Sequence, residues 1–125
     1  MTRSSNIRMA GMLIWTEAAR FESMVRFYRD TLGLRPRSIK EDFINFEWGE
    51  VRLSVGIHSD VRGLSREPLR TMVNFAVDDI HTTYTRLIEA GTPFTRAPEV
   101  EDWGGYVATF VDPDGNTLQL MQLPA

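Results

Sequence analysis

The two halves of the chain predict the same order of secondary-structure elements, and this repeat limits the folds that the chain can adopt. In each half an apolar strand-like run is followed by a helical segment that ends at a glycine, Gly33 or Gly91, and then by paired alternating strands. Half-copies of about 50 residues are too small to be stable apart. We therefore expect residues 1–125 to form a single domain whose two modules, residues 9–58 and 71–123, share a sheet.

The first half predicts a strand, a helix and a hairpin. Met9–Trp15 is a short apolar run typical of a buried strand, and apolar residues recur at helical spacing over Arg20–Leu32. Two alternating segments, Phe43–Trp48 and Val51–His58, flank Gly49-Glu50, which is typical of a hairpin turn.

The second half predicts the same order of elements. Either Asp78 or Asp79 can cap its helix, because an aspartate at this position accepts a hydrogen bond from an unpaired N–H of the first turn. The predicted elements are a strand over Thr71–Val77, a helix to about Ala90, a short strand over Phe94–Ala97 and a hairpin over Tyr106–Leu123.

The closing hairpin contains the strongest turn signal of the chain, Asp112–Gly115. Its proline presets φ for the turn, its aspartates can bond nearby backbone, and its glycine accepts a positive φ. The strand that follows alternates, with Leu118 and Leu120 on one face and Gln119 and Met121 on the other. The role of Gln119 therefore decides whether this strand supplies a metal ligand.

Composition narrows the classes of partner. A net charge of −3 with a pI near 5.4 argues against a nucleic-acid surface, which needs a clustered basic excess. The chain has no cysteine, which excludes disulfides, a thiolate nucleophile and thiolate-bound zinc. Met9–Trp15 is too short to span a bilayer. We expect a cytoplasmic protein with neither a membrane nor a nucleic acid as its partner.

Two motifs carry a resemblance to a known family. Phe27–Leu34, which reads FYRDTLGL, and Asp112–Asn116, which reads DPDGN, occur in this order on a repeated chain, and Val77–Ile80 adds a matching helix start. Together they resemble the vicinal oxygen chelate superfamily, the group of glyoxalase I, bleomycin-resistance proteins and extradiol dioxygenases. The resemblance covers about Met9 to Gln122.

The resemblance implies an α+β fold. In this family, paired βαβββ modules form a mixed sheet that curves into an open cup, with helices on the convex side and a ligand or metal in the concavity. Many relatives build the cup from modules of two chains, whereas others build it within one chain. A homodimer is therefore an expectation that the resemblance carries.

The resemblance also implies where a metal would bind. In metal-binding members, His, Glu or Gln side chains project into the cup from the first strand of each half and from the last strand; the matching positions hold Leu13, Met72 and Gln119. A divalent ion prefers oxygen or imidazole ligands, whereas leucine has no lone pair and a thioether suits soft ions. We expect no metal cofactor, and a divalent metal held by His58, Gln119 and Glu47 is the alternative.

The first hairpin predicts a second set of cup residues. Its turn places Glu47 opposite Arg52 and Asn45 opposite Ser54 on the face expected to line the cup. His58 lies on the same face, and its imidazole can act as a lone ligand or a general base. The alternative is a solvent-facing histidine at the end of a strand.

The complete predicted lining combines apolar and polar side chains. Aromatic and methionine surfaces with sparse polar groups suit a small organic ligand, although the same residues can form ordinary core or a dimer interface. Phe110 and Tyr106 join the lining if the closing hairpin pairs Phe110 with Gln119, and Trp103 can lean over the rim. The predicted ligand-binding residues are Leu13, Trp15, Asn45, Glu47, Arg52, His58, Met72, Asn74, Trp103, Phe110, Gln119 and Met121.

Three classes of function remain open on these grounds. The favoured one is a metal-free protein that traps a small organic ligand in a hydrophobic cup, in the manner of antibiotic-sequestering relatives. The second is a metal-dependent lyase, isomerase or dioxygenase with a non-standard ligand set. The third is a structural or regulatory module without a ligand. Whether the protein is an enzyme is left open.

Overall fold

The computed structural model describes residues 7–125, so residues 1–6 of the predicted domain lie outside the described part. The first half consists of β1 (Gly11–Thr16), α1 (Ala18–Arg26) continued by one turn of π-helix (Phe27–Thr31), β2 (Pro36–Ile39), β3 (Phe43–Trp48) and β4 (Val51–Ile57). The second half consists of β5 (Met72–Ala76), α2 (Ile80–Glu89), β6 (Phe94–Val100), β7 (Tyr106–Val111) and β8 (Thr117–Gln122).

Each half is a βαβββ module with its own four-stranded sheet. The strand orders are β1-β4-β3-β2 and β5-β8-β7-β6, and in both sheets the first strand pairs in parallel with the last. The predicted α+β fold of duplicated modules is confirmed. The expectation that both halves share one sheet is wrong, because the described strands fall into two separate sheets.

The two halves share a core instead. The buried faces of both sheets and the apolar sides of both helices form one cluster. Rings from the two halves meet within it: the centroids of Phe27 and Phe110 lie 6.4 Å apart, and those of Trp48 and Phe75 lie 6.3 Å apart. Because one face of each sheet points into this core, the opposite face of each sheet points away from it. We call these surfaces the first and the second outer face.

Two strands differ from the sequence prediction. The sequence pattern does not predict β2, because Pro36–Ile39 is short, mostly exposed and offers little apolar pattern. It lies at the edge of its sheet, where proline is tolerated. β6 is longer than predicted and reaches Val100, through two irregularities in its register with β7. Both are edge strands with weak periodicity, which explains why pattern alone misjudged them.

A capping side chain and two glycines determine where the helices begin and end. Asp79, not Asp78, caps α2: its carboxylate accepts hydrogen bonds from the backbone N–H of Thr82 at 3.2 Å and from the Thr82 hydroxyl at 2.9 Å. The chain leaves both helical segments through glycines of positive φ, Gly33 at 79° and Gly91 at 88°. This left-handed conformation favours glycine, so the predicted helix ends are confirmed.

The two family motifs contact each other across the halves. The hydroxyl of Tyr28 donates to Asp112 Oδ2 at 2.6 Å, and the hydroxyl of Thr16 donates to Asp114 Oδ2 at 2.6 Å. Arg20 Nε donates to Asp114 Oδ1 at 2.5 Å. Each aspartate is only 3% exposed. The turn of the second half is thus anchored to the first half by buried hydrogen bonds, which gives both motifs an architectural role.

Burial governs the ionisation of this network. It raises the pKa of Asp112, although hydrogen bonds from Tyr28 and Asn116 oppose the rise. Burial, followed by the negative charge of Asp112, raises the pKa of Tyr28 well above its ordinary value. Tyr28 therefore remains a hydrogen-bond donor to the carboxylate in the folded protein.

Candidate functional site

The first outer face has the predicted register. Glu47 lies opposite Arg52 and Asn45 opposite Ser54, and Leu13 is the neighbour of Ser54 on the parallel strand β1. The Ser54 hydroxyl donates to the Asn45 carbonyl oxygen, so the two side chains orient each other. A shallow pocket of about 320 Å³ lies on this face and is lined by residues of β1, β3 and β4 and by Ala10.

Arg52 is left without an acidic partner on this face. Although Glu47 lies directly opposite it in the register, the carboxylate of Glu47 approaches Arg35, with Oε2 3.7 Å from Nε. Among residues 7–125 no carboxylate lies within 4 Å of the Arg52 guanidinium. Arg52 lines the shallow pocket, so its guanidinium is available to a ligand with acceptor oxygens.

An aromatic cluster occupies one end of the same face. Trp15 packs edge-on against Phe43 at 5.9 Å and against His58 at 5.2 Å between ring centroids. The rings of Phe43 and Trp15 cover Gly56, where a Cβ would lie 2.5 Å from the Phe43 ring and 2.9 Å from the Trp15 ring. Gly56 thus allows two flat side chains to lie close to the sheet.

His58 belongs to this cluster and has an internal hydrogen bond. Its Nδ1 accepts from the backbone N–H of Asp60 at 3.0 Å. A nitrogen that accepts this bond is not available to a metal ion, and the neutral ring then carries its proton on Nε2.

The second outer face contains the remaining predicted lining residues. Asn74 pairs with Gln119 across the parallel strands β5 and β8, and Thr109 lies opposite Gln119 on β7. Gln119 Nε2 donates to the Thr109 hydroxyl at 3.3 Å. Met72 and Met121 flank this polar row along their strands. The face therefore alternates methionine with amide and hydroxyl groups.

Phe110 is not part of this face. It pairs with Leu118, not with Gln119, and its side chain is fully buried against Phe27 and Phe94. Phe110 was expected in the lining only if it paired with Gln119. The observed register differs by one residue, and such a shift moves a side chain to the other face of a sheet. Tyr106 is also on the core side, where its ring meets His81 of α2 at 5.3 Å.

Trp103 lies against the second outer face. A Cβ at Gly105 would lie 1.9 Å from the Trp103 ring, so the indole occupies the space in front of that glycine. Gly105 precedes Tyr106, which faces the core, and the alternation of a strand therefore directs this space outward. Half of the Trp103 surface is exposed, so its indole is accessible to a ligand.

Within the described chain the predicted residues form two separate groups, one on each sheet, and do not line a common cup. Leu13, Trp15, Asn45, Glu47, Arg52 and His58 belong to the first sheet and its end, whereas Met72, Asn74, Trp103, Gln119 and Met121 belong to the second. Large apolar side chains remain exposed on both faces: Leu13 by 42%, Trp15 by 39% and Met72 by 40%. A single chain therefore presents two separate outer faces, both of which point away from the shared core.

The donors present do not fit the metal site that the family implies. Of the three matching positions, Leu13 has no lone pair, Met72 is a soft thioether and the amide of Gln119 bonds Thr109. In the described part of the chain no three His, Cys, Asp or Glu side chains are grouped to hold an ion.

The alternative ligand set does not converge either. Glu47 pairs with Arg52, six positions from His58 along an extended strand, which separates the two by roughly 20 Å. Gln119 lies in the other sheet. Within one chain these three side chains are too far apart to bind a common ion.

Sequence reasoning missed three polar or aromatic residues of the outer faces. Phe43 alternates with Asn45 on β3, so the period of the strand could have placed it. Ser38 accepts a hydrogen bond from Asn45 Nδ2 at 2.8 Å but lies on the unpredicted strand β2. Thr109 required the correct register of the closing hairpin.

Comparison with known proteins identifies the class. Residues 18–120 match the family model of the Glyoxalase/Bleomycin resistance protein/Dioxygenase superfamily, and the chain belongs to this superfamily. The resemblance drawn from the two motifs is confirmed. No helix in residues 7–125 has the length and apolar character needed to cross a membrane.

Individual relatives extend this finding. The uncharacterized protein YraH of Bacillus subtilis is 30% identical over 116 residues, covering 82% of this chain and 90% of YraH. A bleomycin resistance protein of Klebsiella pneumoniae is 52% identical over 33 residues, which make up 26% of each chain. The structure of a glyoxalase/bleomycin resistance protein/dioxygenase from Nocardioides has a TM-score of 0.73 and 26% identity, covering 98% of this chain and 87% of that chain.

Proposed function

We propose that this protein binds a small organic ligand without a metal ion, in cups lined by its two outer sheet faces. The observation that carries the proposal is the chemistry of these faces. Exposed apolar side chains, Leu13, Trp15 and Met72 among them, stand beside a few oriented polar groups. Such a surface provides area for stacking and sparse hydrogen bonds for orientation, which is typical of small-molecule sites.

The polar groups favour a ligand with acceptor oxygens. Arg52 carries a positive charge into the first outer face without an acidic partner among the described residues. A guanidinium can donate two parallel hydrogen bonds to one carboxylate or phosphate. The local similarity to a bleomycin resistance protein supports an antibiotic-like molecule as the first candidate to test.

We also propose that the cup is completed in a homodimer. The first and second outer faces point away from their common core, so neither can close over a ligand within the described chain. A second copy can place its second outer face against the first outer face of its partner, which would also cover the exposed apolar side chains. The single domain over residues 1–125 and its location in the cytoplasm stay predictions.

Elemental analysis of the purified protein, followed by titration with Zn²⁺, Mn²⁺ and Ni²⁺, tests the absence of a metal. We expect substoichiometric metal and no saturable change in tryptophan fluorescence, because the family positions lack suitable donors. The variant Gln119→Ala should behave like the parent protein in both measurements. A stoichiometric divalent ion that is lost in Gln119→Ala would contradict the proposal and favour the metal-dependent lyase, isomerase or dioxygenase.

Titration with benzylpenicillin, an antibiotic that carries one carboxylate, tests the binding function. We expect saturable quenching from Trp15 or Trp103, the tryptophans of the two outer faces, and weaker binding in Arg52→Gln. The matched control is Arg66→Gln, which removes an exposed arginine of the connector between the halves. Equal binding by both variants would show that Arg52 does not orient the ligand.

A further inference from the structure

A second cavity lies at the seam between the two halves, and none of the residues proposed above to bind a ligand on the outer faces lines it. It has a volume of about 370 Å³, within the range of roughly 300–1,000 Å³ that small-molecule sites occupy. Its apolar walls come from both halves and include Leu32, Leu34, Trp48, Phe75 and Leu120. We call it the seam cavity.

The seam cavity offers flat aromatic walls above a rigid floor. The rings of Trp48 and Phe75 lie 6.3 Å apart at an angle of 43°, one from each half. Phe75 and Leu120 belong to the buried core, so the floor is held in place by packing that a ligand need not organise. An aromatic ring that enters the cavity can contact both walls, since tilted and edge-on arrangements of rings are favourable.

One cation lies at the mouth of this apolar cavity. Arg86 of α2 reaches across to the first half, where its Nη1 donates to the carbonyl oxygen of Thr31 at 2.7 Å. This bond fixes the guanidinium beside the cavity and leaves its other N–H groups for a further acceptor. Over residues 7–125 no carboxylate lies within 4 Å of it. Thr83, one turn earlier on α2, adds a hydroxyl to the same wall.

The combination of an apolar aromatic pocket with one unpaired guanidinium matches an amphipathic anion. We propose that the seam cavity binds a small aromatic monocarboxylate, with its ring packed against Trp48 and Phe75 and its carboxylate on Arg86. The ring replaces water against apolar walls, and the carboxylate forms charge-assisted hydrogen bonds that a neutral amide cannot match. This site is independent of the proposed cups, because it lies on the core side of the second sheet and beside α2.

The three tryptophans allow the site to be located directly, since each lies on a different surface: Trp48 in the seam cavity, Trp15 and Trp103 on the outer faces. The experiment titrates sodium phenylacetate into ¹⁵N-labelled protein and follows the three indole N–H signals, assigned by single Trp→Phe variants. We expect a saturable shift of the Trp48 signal, with the other two unchanged. Phenylacetamide should bind at least tenfold more weakly.

Variants of Arg86 test the recognition of the carboxylate. Arg86→Gln should weaken phenylacetate binding at least tenfold, whereas Arg86→Lys, which keeps the charge but loses the planar fork, should weaken it less. The control Arg70→Gln removes an exposed arginine paired with Glu67 and should leave binding unchanged. Amide spectra of all variants establish that they fold.

Two results would overturn the inference. Absence of any saturable shift would show that the cavity does not take this class of ligand. A shift of Trp15 or Trp103 with Trp48 unchanged, lost in Arg52→Gln, would place the anion on an outer face and would support the proposed function instead.

Discussion

At the scale of single residues, the hydrogen bond from Tyr28 to Asp112 joins the two family motifs. The bond is 2.6 Å long and fully buried, and Asp112 also accepts from the backbone N–H groups of Asp114 and Asn116. A buried carboxylate is stable only when its acceptor positions are filled. Tyr28 is therefore required by the charge of Asp112 as much as by the packing of the core.

Replacing Tyr28 with phenylalanine should reduce stability at neutral pH by about 1.5–3 kcal/mol, because a hydrogen bond to a buried charge is lost. Urea denaturation at pH 7 measures the change. Tyr84→Phe, on α2 against Phe94, is the matched control and should change the free energy of unfolding much less, since the Tyr84 hydroxyl has no partner among the described residues. Equal losses in the two variants would show that the Asp112 hydrogen bond is not what Tyr28 contributes.

The raised pKa of Tyr28 predicts a loss of stability at alkaline pH. The folded pKa of Tyr28 is raised well above its unfolded value of about 10. Above pH 10 the unfolded chain releases this proton while the folded protein retains it, so the contribution of Tyr28 is complete below pH 10 and declines as the pH rises further. The difference in unfolding free energy between the parent and Tyr28→Phe should shrink as the pH rises above about 10. A constant difference would contradict the raised pKa.

At the scale of elements, a glycine within a strand and one just before a strand set how closely aromatic side chains approach the sheets. Gly56 lies under Phe43 and Trp15, and Gly105 lies under Trp103. A Cβ at Gly56 would meet only side-chain rings, whereas a Cβ at Gly105 would also lie 2.6 Å from the backbone oxygen of Gln122. Side chains can shift more easily than a paired strand, so Gly56 should tolerate a larger residue better than Gly105.

Gly56→Ala should cost about 1–3 kcal/mol of stability, the usual cost of overpacking, and should change the fluorescence of Trp15. Gly105→Ala should cost more, because backbone must move. The control is a double-mutant cycle with Phe43→Ala, which removes the nearer ring and should make Gly56→Ala less harmful. Independent, additive effects of Phe43→Ala and Gly56→Ala would rule out the predicted clash.

At the scale of the whole molecule, the arrangement of the halves leaves the two outer faces on opposite sides of one core. One core holds both modules together, and the anchored turn around Asp112 and Asp114 prevents the halves from separating without exposing buried charges. In the homodimer that we propose, a second copy completes each cup.

Leu13→Glu should weaken the proposed homodimer, because it replaces an exposed apolar side chain of the first outer face with a charge. Light scattering coupled to size-exclusion chromatography should give a dimer mass for the parent and a shift toward monomer for the variant. Leu69→Glu, at a leucine of the connector that is 72% exposed, is the control and should remain dimeric. A monomeric parent protein at all concentrations would contradict the proposed assembly.

Much of the fold could be predicted from local pattern. The repeat, the helix-ending glycines and the Asp112–Gly115 turn each depend on neighbours in sequence, and the register of the first hairpin followed from its short turn around Gly49. The closing hairpin has a longer turn, so its register was ambiguous by one residue. That single residue moved Phe110 from the predicted lining into the core.

The sequence by itself determined the superfamily, the two βαβββ modules and the residue types at the family's metal positions, because these depend on motifs and on periodicity. Only the tertiary structure decided which side chains meet. It paired Glu47 with Arg35 and left Arg52 without an acidic partner, joined Tyr28 to Asp112, and separated the two outer faces by a common core. Such contacts arise between residues distant along the chain, where no local pattern records the geometry.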